Sequence, residues 1–322
     1  MEEITVNIGK FQITGISKAG DCSYLVPKGY PVVFDMGVCT KTAASQTTVL
    51  LTHGHHDHCA GLYRHYRLNR ESSSLKTKSE KLAYLMPPEM VEPMSEVIHG
   101  HTKLEAGMND PTPSVAHSKL IPFKHTTDTF QLTTATYIRA FPTRHCVPFA
   151  RFNGSDAVEQ DRSLDRMPSQ GYTIYERRRK LKPEFMELEG KEIGALVKAG
   201  TTVYNMVEVP VISYTGDTTI EGVINHPTVL ESELLIMECT IIDDARTPED
   251  CHSDTSGHTH LDDILTHVHA FTDVQQILLC HLSKRYAPEY ARQTVQERLI
   301  GTPLEGKVTV FIYKKKMKNQ MR

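Results

Sequence analysis

A chain of 322 residues with 39% hydrophobic residues is long enough to bury a substantial core, as one large domain or two smaller ones. Its formal net charge of −3 excludes a global basic field, so any polyanionic partner has to be met by local patches. No run of about 18 apolar residues exists, and the opening MEEITVNIGKF lacks the basic and apolar regions of a secretory signal. The expectation is an intracellular, cytoplasmic protein without a membrane segment, with a nucleus or organelle left open.

Taken in chain order, short apolar runs recur, and six of them deliver a polar residue of a catalytic type. Pro31–Phe34 ends at Asp35, Val49–Thr52 ends at His53, and Tyr137–Phe141 leads into Thr143, Arg144 and His145. Val211–Tyr214 leads to Gly216 and Asp217, Leu234–Met237 meets Glu238, and Ile277–Cys280 meets His281. Strands that present His, Asp or Glu at their C-terminal ends are the layout of an active site at the edge of a sheet core. Helical patterns fall between them at residues 59–69, at 260–271 with Leu261, Ile264, Leu265 and Val268, and at 288–300. This alternation predicts an α/β sandwich, two sheets with helices outside, in one domain over 1–322. Glu71–Lys81, Asn153–Gln170 and Arg246–Gly257 read as loops, and no repeat of fixed period is visible.

Residues 53–58 read His-Gly-His-His-Asp-His, an HxHxDH pattern directly after the β-branched run Thr48–Thr52. Neutral imidazole and carboxylate are the ligands that suit zinc and its first-row neighbours. His53 and His55 can point the same way from an extended backbone, while Asp57 and His58 continue around the turn toward a second ion. A two-metal hydrolase needs about seven ligands. Beyond His53, His55, Asp57 and His58, the candidates are His145, Asp217 and His281. Alone, His145 or His281 reads as a structural histidine; beside HxHxDH each reads as a ligand. His56, His99, His101, His117 and His125 lack such context. The seven cysteines have no CxxC spacing, which argues against a disulfide framework or a Cys-rich zinc site. Buried packing thiols are the better reading, although a thiolate ligand is conceivable.

THGHHDHCAG at residues 52–61 resembles the metal signature of the metallo-β-lactamase superfamily. LLIMECT, SGHTH and CHLSKRY narrow the resemblance to its ribonuclease Z branch, with Met237 in place of a His that precedes Glu238 in that branch. The resemblance implies an αββα fold and two zinc ions, one held by His53, His55 and His145 and the other by Asp57, His58 and His281, with Asp217 bridging. It also implies a hydroxide between the metals attacking phosphorus and a homodimer. Manganese or iron would fit the same ligands. Glu238 orienting His258 suits protonation of a departing 3′-oxygen, so Asp57, Glu238 and His258 are the catalytic candidates. Asp35 reads either as steadying a ligand His or as a strand-end turn former.

The expected activity is a zinc phosphodiesterase, foremost an endoribonuclease acting on precursor tRNA. Alternatives are a phosphodiesterase on other substrates, a glyoxalase II-like thioester hydrolase, or a metal- or RNA-binding module without catalysis. Arg285 in CHLSKRY and the run Arg177, Arg178 and Arg179 are the candidate substrate-binding residues. The run lies within 153–205, a polar and basic insertion region, and reads equally as a solvated face balanced by Glu176 and Glu184. Ribonuclease Z enzymes typically extend a long arm, often Gly-Pro marked, to grip tRNA; this chain has no Gly-Pro dipeptide and no obvious arm at 153–205. The basic tail 314–322 reads as a solubilising end.

Overall fold

The computed structural model describes residues 2–70, 82–106, 119–146, 167–242 and 256–312. The tail 314–322, the stretch 153–166, Glu71–Lys81, Cys251 and His117 lie outside them.

Two sheets of seven strands account for the described strands, each sheet following chain order. The first runs β1 (Ile4–Ile8), β2 (Phe11–Lys18), β3 (Cys22–Pro27), β4 (Val32–Phe34), β5 (Thr48–Leu50), β6 (Ala83–Met86), β7 (Leu120–Pro122). The second holds β8 (Phe130–Gln131), β9 (Thr136–Pro142), β10 (Gln170–Leu181), β11 (Tyr204–Tyr214), β12 (Leu234–Glu238), β13 (Gln276–Cys280) and β14 (Val308–Val310). In each sheet the first three pairings are antiparallel and the last three parallel. The halves therefore share one plan, although the sequence shows no repeat.

Parallel strands need long crossovers and cover on both faces. Helices Leu62–Arg70, Val91–Ala106, Leu261–Thr266 and Pro288–Leu299 occupy those crossovers, and β4, β5 and β12 are buried throughout. Pro288 opens the last of these helices at a position where its missing N–H costs nothing, and Ala291, Val295 and Leu299 line its inner face at fourfold spacing. Three apolar layers result. The central one, between the sheets, contains Leu25, Phe34, Leu50, Tyr172, Ile212, Tyr214, Ile236 and Leu278. Two outer layers seat the helices on each sheet. This is the expected αββα sandwich.

The local readings differ in detail. The helix anticipated at 59–69 is two pieces, His56–Cys59 and Leu62–Arg70, and between them Gly61 packs against backbone of Met36, Val38 and Cys39 where no Cβ fits. The segment expected at 260–271 is helix Leu261–Thr266 followed by a tighter turn at Val268–Phe271. The N-terminal meander and Val91–Ala106 had no clear signal. Within 153–205, most of the described residues belong to a ribbon and its tip: β10 and β11 run on as an antiparallel pair as far as Leu181 and Tyr204, and a turn at Pro183–Phe185 and the helix Gly190–Lys198 join them.

Leu278, fully buried between the sheets, should carry a large share of their adhesion. Leu278→Ala is expected to lower unfolding free energy by about 2–5 kcal/mol through lost transfer energy and a cavity, read from the urea midpoint.

Candidate metal centre

Chain ends of the central strands converge at one edge of the sandwich. His53, His55 and His58 follow β5, Asp35 follows β4, His145 follows β9, Asp217 follows β11, Glu238 ends β12, and His281 follows β13. All seven sequence-predicted ligands come together there. Donor atoms of His53, His55, His145 and Asp217 form one group, and those of Asp57, His58 and His281 a second. His56 joins neither.

Asp217 faces both groups. Its Oδ1 lies 3.4 Å from His58 Nε2 and 3.3 Å from His281 Nδ1, while its Oδ2 lies 3.9 Å from His53 Nε2 and 4.0 Å from His145 Nε2. Gly216 before it has φ of +62°, and a Cβ there would sit 2.6 Å from the Thr52 side chain. Both the left-handed backbone and the nearness of Thr52 call for glycine there.

Each ligand imidazole has its remote nitrogen against a neighbouring polar atom. His58 Nδ1 donates to Asp35 Oδ2 at 2.8 Å, and His53 Nδ1 to Thr52 Oγ1 at 2.9 Å. His145 Nδ1 donates to the Gly257 carbonyl at 2.9 Å, and His281 Nδ1 to Thr240 Oγ1 at 3.1 Å. His55 Nε2 lies 3.8 Å from Cys146 Sγ. The remaining nitrogens face one another, His58 Nε2 and His281 Nε2 3.2 Å apart and His55 Nδ1 and His145 Nε2 3.1 Å apart, distances that a shared proton or a cation between them would satisfy. His53 Nε2 and Asp217 Oδ1 are moreover buried without a hydrogen-bond partner.

The second group spaces its donors suitably. His58 Nε2 and His281 Nε2 lie 3.5 and 3.4 Å from Asp57 Oδ2. Ligands at about 2.0–2.1 Å from a tetrahedral ion stand about 3.3–3.4 Å apart, so the donor set fits a zinc-sized cation.

Protonation states agree with the ligand role, with one exception. Burial, aided by the neighbouring His58 and His145, takes His53 well below the ordinary histidine range. Burial likewise takes His145 down to about 3, against the pull of Asp217. Burial disfavours ionised Asp57, but His281 and His58 outweigh it and hold the carboxyl at about 2. His58 is the exception: burial opposes its charge, yet Asp217 and Asp35 prevail and raise it. A cation therefore competes with a proton at that ring.

Glu238 and His258 form the expected pair. Glu238 Oε1 accepts from His258 Nδ1 at 2.9 Å and from the Thr218 N–H at 2.8 Å; Oε2 accepts from the Thr240 hydroxyl at 2.6 Å. Burial works against charge on His258, but Glu238 and Asp217 raise it to about 9, so it holds a proton at neutral pH. His258 also lies near Asp217 and His281 as a possible third donor group. Since its Nδ1 is engaged by Glu238, we read it as a proton carrier. Met237 points the other way, into the helix-side core, so the departure at that position leaves these contacts untouched.

Asp35 has the steadying role. It is fully buried and accepts from Thr52 N at 2.8 Å and from the Tyr214 hydroxyl at 2.7 Å, besides His58. Among the described residues, Asp35 and His281 are the non-glycine positions with positive φ, 55° and 57°. Such conformations cost about 1–3 kcal/mol each and persist where surrounding bonds over-determine them. Tyr214, Thr240 and the Gly20 N–H, which donates to Asp57 Oδ2 at 2.9 Å, also serve the site and were not among the sequence candidates, although Thr240 closes the LLIMECT segment. Their partners are remote in the chain.

The substrate-binding candidates divide between two places. Arg285 is exposed, four residues past His281, with its guanidinium 4.9 Å over the Tyr286 ring. Arg177, Arg178 and Arg179 lie on β10, whose first residue, Gln170, donates to the Thr52 carbonyl beside the site. Seven to nine residues of strand put them about 23–30 Å from that end. Of the cysteines, Cys22, Cys39, Cys239 and Cys280 are buried, and Cys59 and Cys146 half-buried. Among the described residues none joins a donor group. His101 and His125 are surface residues, and no described helix is long and apolar enough to cross a membrane.

No family model matches the chain. It is 29% identical over 293 residues to tRNase Z TRZ2, chloroplastic, of Arabidopsis thaliana, covering 90% of this chain and 72% of that protein. To tRNase Z TRZ1 of the same plant it is 27% identical over 305 residues, covering 94% and 95%. Among solved structures, the metallo-beta-lactamase fold protein YhfI from Bacillus subtilis matches with a TM-score of 0.53 at 15% identity, over 94% of this chain and 97% of that one. Unliganded yeast PDE1 matches with a TM-score of 0.53 at 12% identity, again over 94% and 97%. The fold is that of the metallo-β-lactamases.

Asp35→Asn keeps the shape of the side chain but weakens its hold on His58. Metal affinity is expected to fall about 10- to 100-fold, measured by chelator competition; unchanged affinity would remove Asp35 from the site's support.

Proposed function

We propose that this chain, which resembles the ribonuclease Z branch of the metallo-β-lactamase superfamily over most of its length, is a di-zinc endoribonuclease that cuts precursor tRNA and leaves a 3′-hydroxyl on the tRNA. The observation that carries the reading is Asp217, one oxygen toward each of two donor groups, beside a Glu238–His258 pair. His53, His55 and His145 would hold one ion, Asp57, His58 and His281 the other, with Asp217 shared.

Bound zinc would supply an acidified water and neutralise charge on the phosphoryl oxygens. The protein's own share is positional. Asp35, Thr52, Thr240 and the Gly257 carbonyl keep the ligand rings aimed. Glu238, itself fixed by Thr218 and Thr240, holds His258 Nδ1. His258 Nε2 is then left to deliver its proton to the departing 3′-oxygen. The ribbon of β10 and β11, with Arg177, Arg179 and Lys180 exposed along it, supports an RNA substrate, since phosphate contacts are what such a surface offers. A homodimer belongs to the same reading and is checked by light scattering.

The test pairs metal analysis with cleavage. About two zinc ions per chain are expected, together with cleavage of a precursor tRNA bearing a 3′ trailer. Metal-loaded protein that hydrolyses a bis-aryl phosphodiester but ignores the precursor would replace tRNA with another phosphodiester substrate. His258→Ala is expected to lower kcat about 10²- to 10⁴-fold at unchanged zinc content. A parallel loss of zinc would make His258 a ligand instead.

A further inference from the structure

The three adjacent arginines of β10 have different surroundings. β9 pairs with β10 only as far as Glu176, and β12 pairs with β11 only over Ile212–Tyr214. Arg177 N–H still donates to the Ala135 carbonyl at 2.8 Å; from Arg178 to Leu181 and from Tyr204 to Val207 the described strands pair only with each other. The helix Gly190–Lys198 beyond them buries none of its residues. A two-stranded ribbon wetted on both faces is marginally stable and sways unless its root is held.

Arg178 sits at that root and points to the opposite face from Arg177 and Arg179. Its Nη1 and Nη2 donate to Glu233 Oε1 and Oε2 at 2.6 and 2.9 Å. Its Nε and Nη2 donate to Glu176 Oε2 at 2.9 and 2.8 Å. Lys10 Nζ donates to Glu233 Oε2 at 2.7 Å, and the Tyr30 hydroxyl to Glu176 Oε1 at 2.6 Å. Lys10 lies in the β1–β2 turn, Tyr30 just before β4 and Glu233 just before β12, so the second sheet holds the guanidinium through two carboxylates and the first sheet braces each carboxylate. The Glu233 side chain is only 10% exposed. Arg178 holds its carboxyl at about 2 against the cost of burial, which keeps it ionised through the usable pH range. A two-pronged arginine–carboxylate contact restricts direction as well as distance.

We propose that the Arg178–Glu233 fork, braced by Glu176, Lys10 and Tyr30, is a clamp that sets the direction in which the ribbon projects. Arg178 is thus a positioning residue for a macromolecular substrate and not one of its contacts, which corrects its place beside Arg177 and Arg179. The inference rests on the reading that the ribbon takes part in binding RNA. The clamp lies at the end of the strands opposite the metal centre, so turnover of a small diester reports on the site independently of it.

Glu233→Gln separates the two roles of Arg178 by sign. Removing an acid from an RNA-facing surface strengthens RNA binding if Arg178 is a phosphate contact, and weakens it if Arg178 is a clamp. The expected result is a KM for precursor tRNA raised about three- to tenfold in both Glu233→Gln and Arg178→Gln. Hydrolysis of a bis-aryl phosphodiester by the same zinc-loaded proteins should stay unchanged, which also reports folding. Faster amide exchange across Arg177–Leu181 and Tyr204–Glu208 is expected in both variants. A lower or unchanged KM in Glu233→Gln beside a raised KM in Arg178→Gln overturns the clamp in favour of direct contact. Unchanged KM in both overturns it while leaving the endoribonuclease reading intact. If the wild type cleaves the diester but not the precursor, the RNA reading fails and the exchange data decide: unaltered ribbon exchange sinks the clamp, and faster exchange keeps it for another large substrate.

Discussion

The buried carboxylate of Asp35 is the interaction on which the site depends. Wholly removed from water, it accepts from Thr52 and His58 of the first sheet and Tyr214 of the second. A charge in that position is costly unless every lone pair is used. Satisfying it draws the ends of β4, β5 and β11 together. His58 is thereby aimed, and Thr52, whose hydroxyl donates to Asp35, accepts from His53. One carboxylate therefore orients a ring in each donor group. The left-handed backbone at Asp35 is the strain accepted for reaching all these partners at once.

The shared plan of the two sheets explains why the ligands meet where they do. In each half, antiparallel strands lead into parallel ones, and parallel strands discharge their C-terminal loops along a common edge. Face to face, those edges bring the HxHxDH loop of one sheet opposite Asp217 and His281 of the other. Neither half holds a full donor set; the centre exists only at the seam. The opposite ends of the same strands are free for other duties, and there Glu233 anchors the ribbon. One strand, β12, carries Glu238 to His258 and follows directly on Glu233, which bonds Arg178.

Much of the centre was legible because short-range chemistry wrote it. Apolar runs ending in His, Asp or Glu are strands ending at a site, and six such endings in one chain leave few other layouts. The contributions of Tyr214, Thr240 and Gly20 were not legible. Hydroxyls and a backbone N–H are common groups, and Tyr214 meets Asp35 across 179 positions of sequence. The ribbon escaped for a related reason. Charged and polar residues on both faces mimic a loop, and no Gly-Pro signal marks the place, yet backbone pairing between β10 and β11 needs no apolar pattern.

What the sequence by itself determined was the chemistry: the ligand types and strands that end in them. These follow from side-chain identity and a two-residue period, both local properties. Tertiary structure decided which residues share a charge. It set Asp217 between two donor groups and turned Met237 into the core while leaving Glu238 on His258. It also gave the three neighbouring arginines different surroundings, engaging Arg178 with Glu176 and Glu233 and leaving Arg179 exposed. Coulombic and hydrogen-bond partners are chosen by distance in space, and only the packing of the two sheets sets that distance.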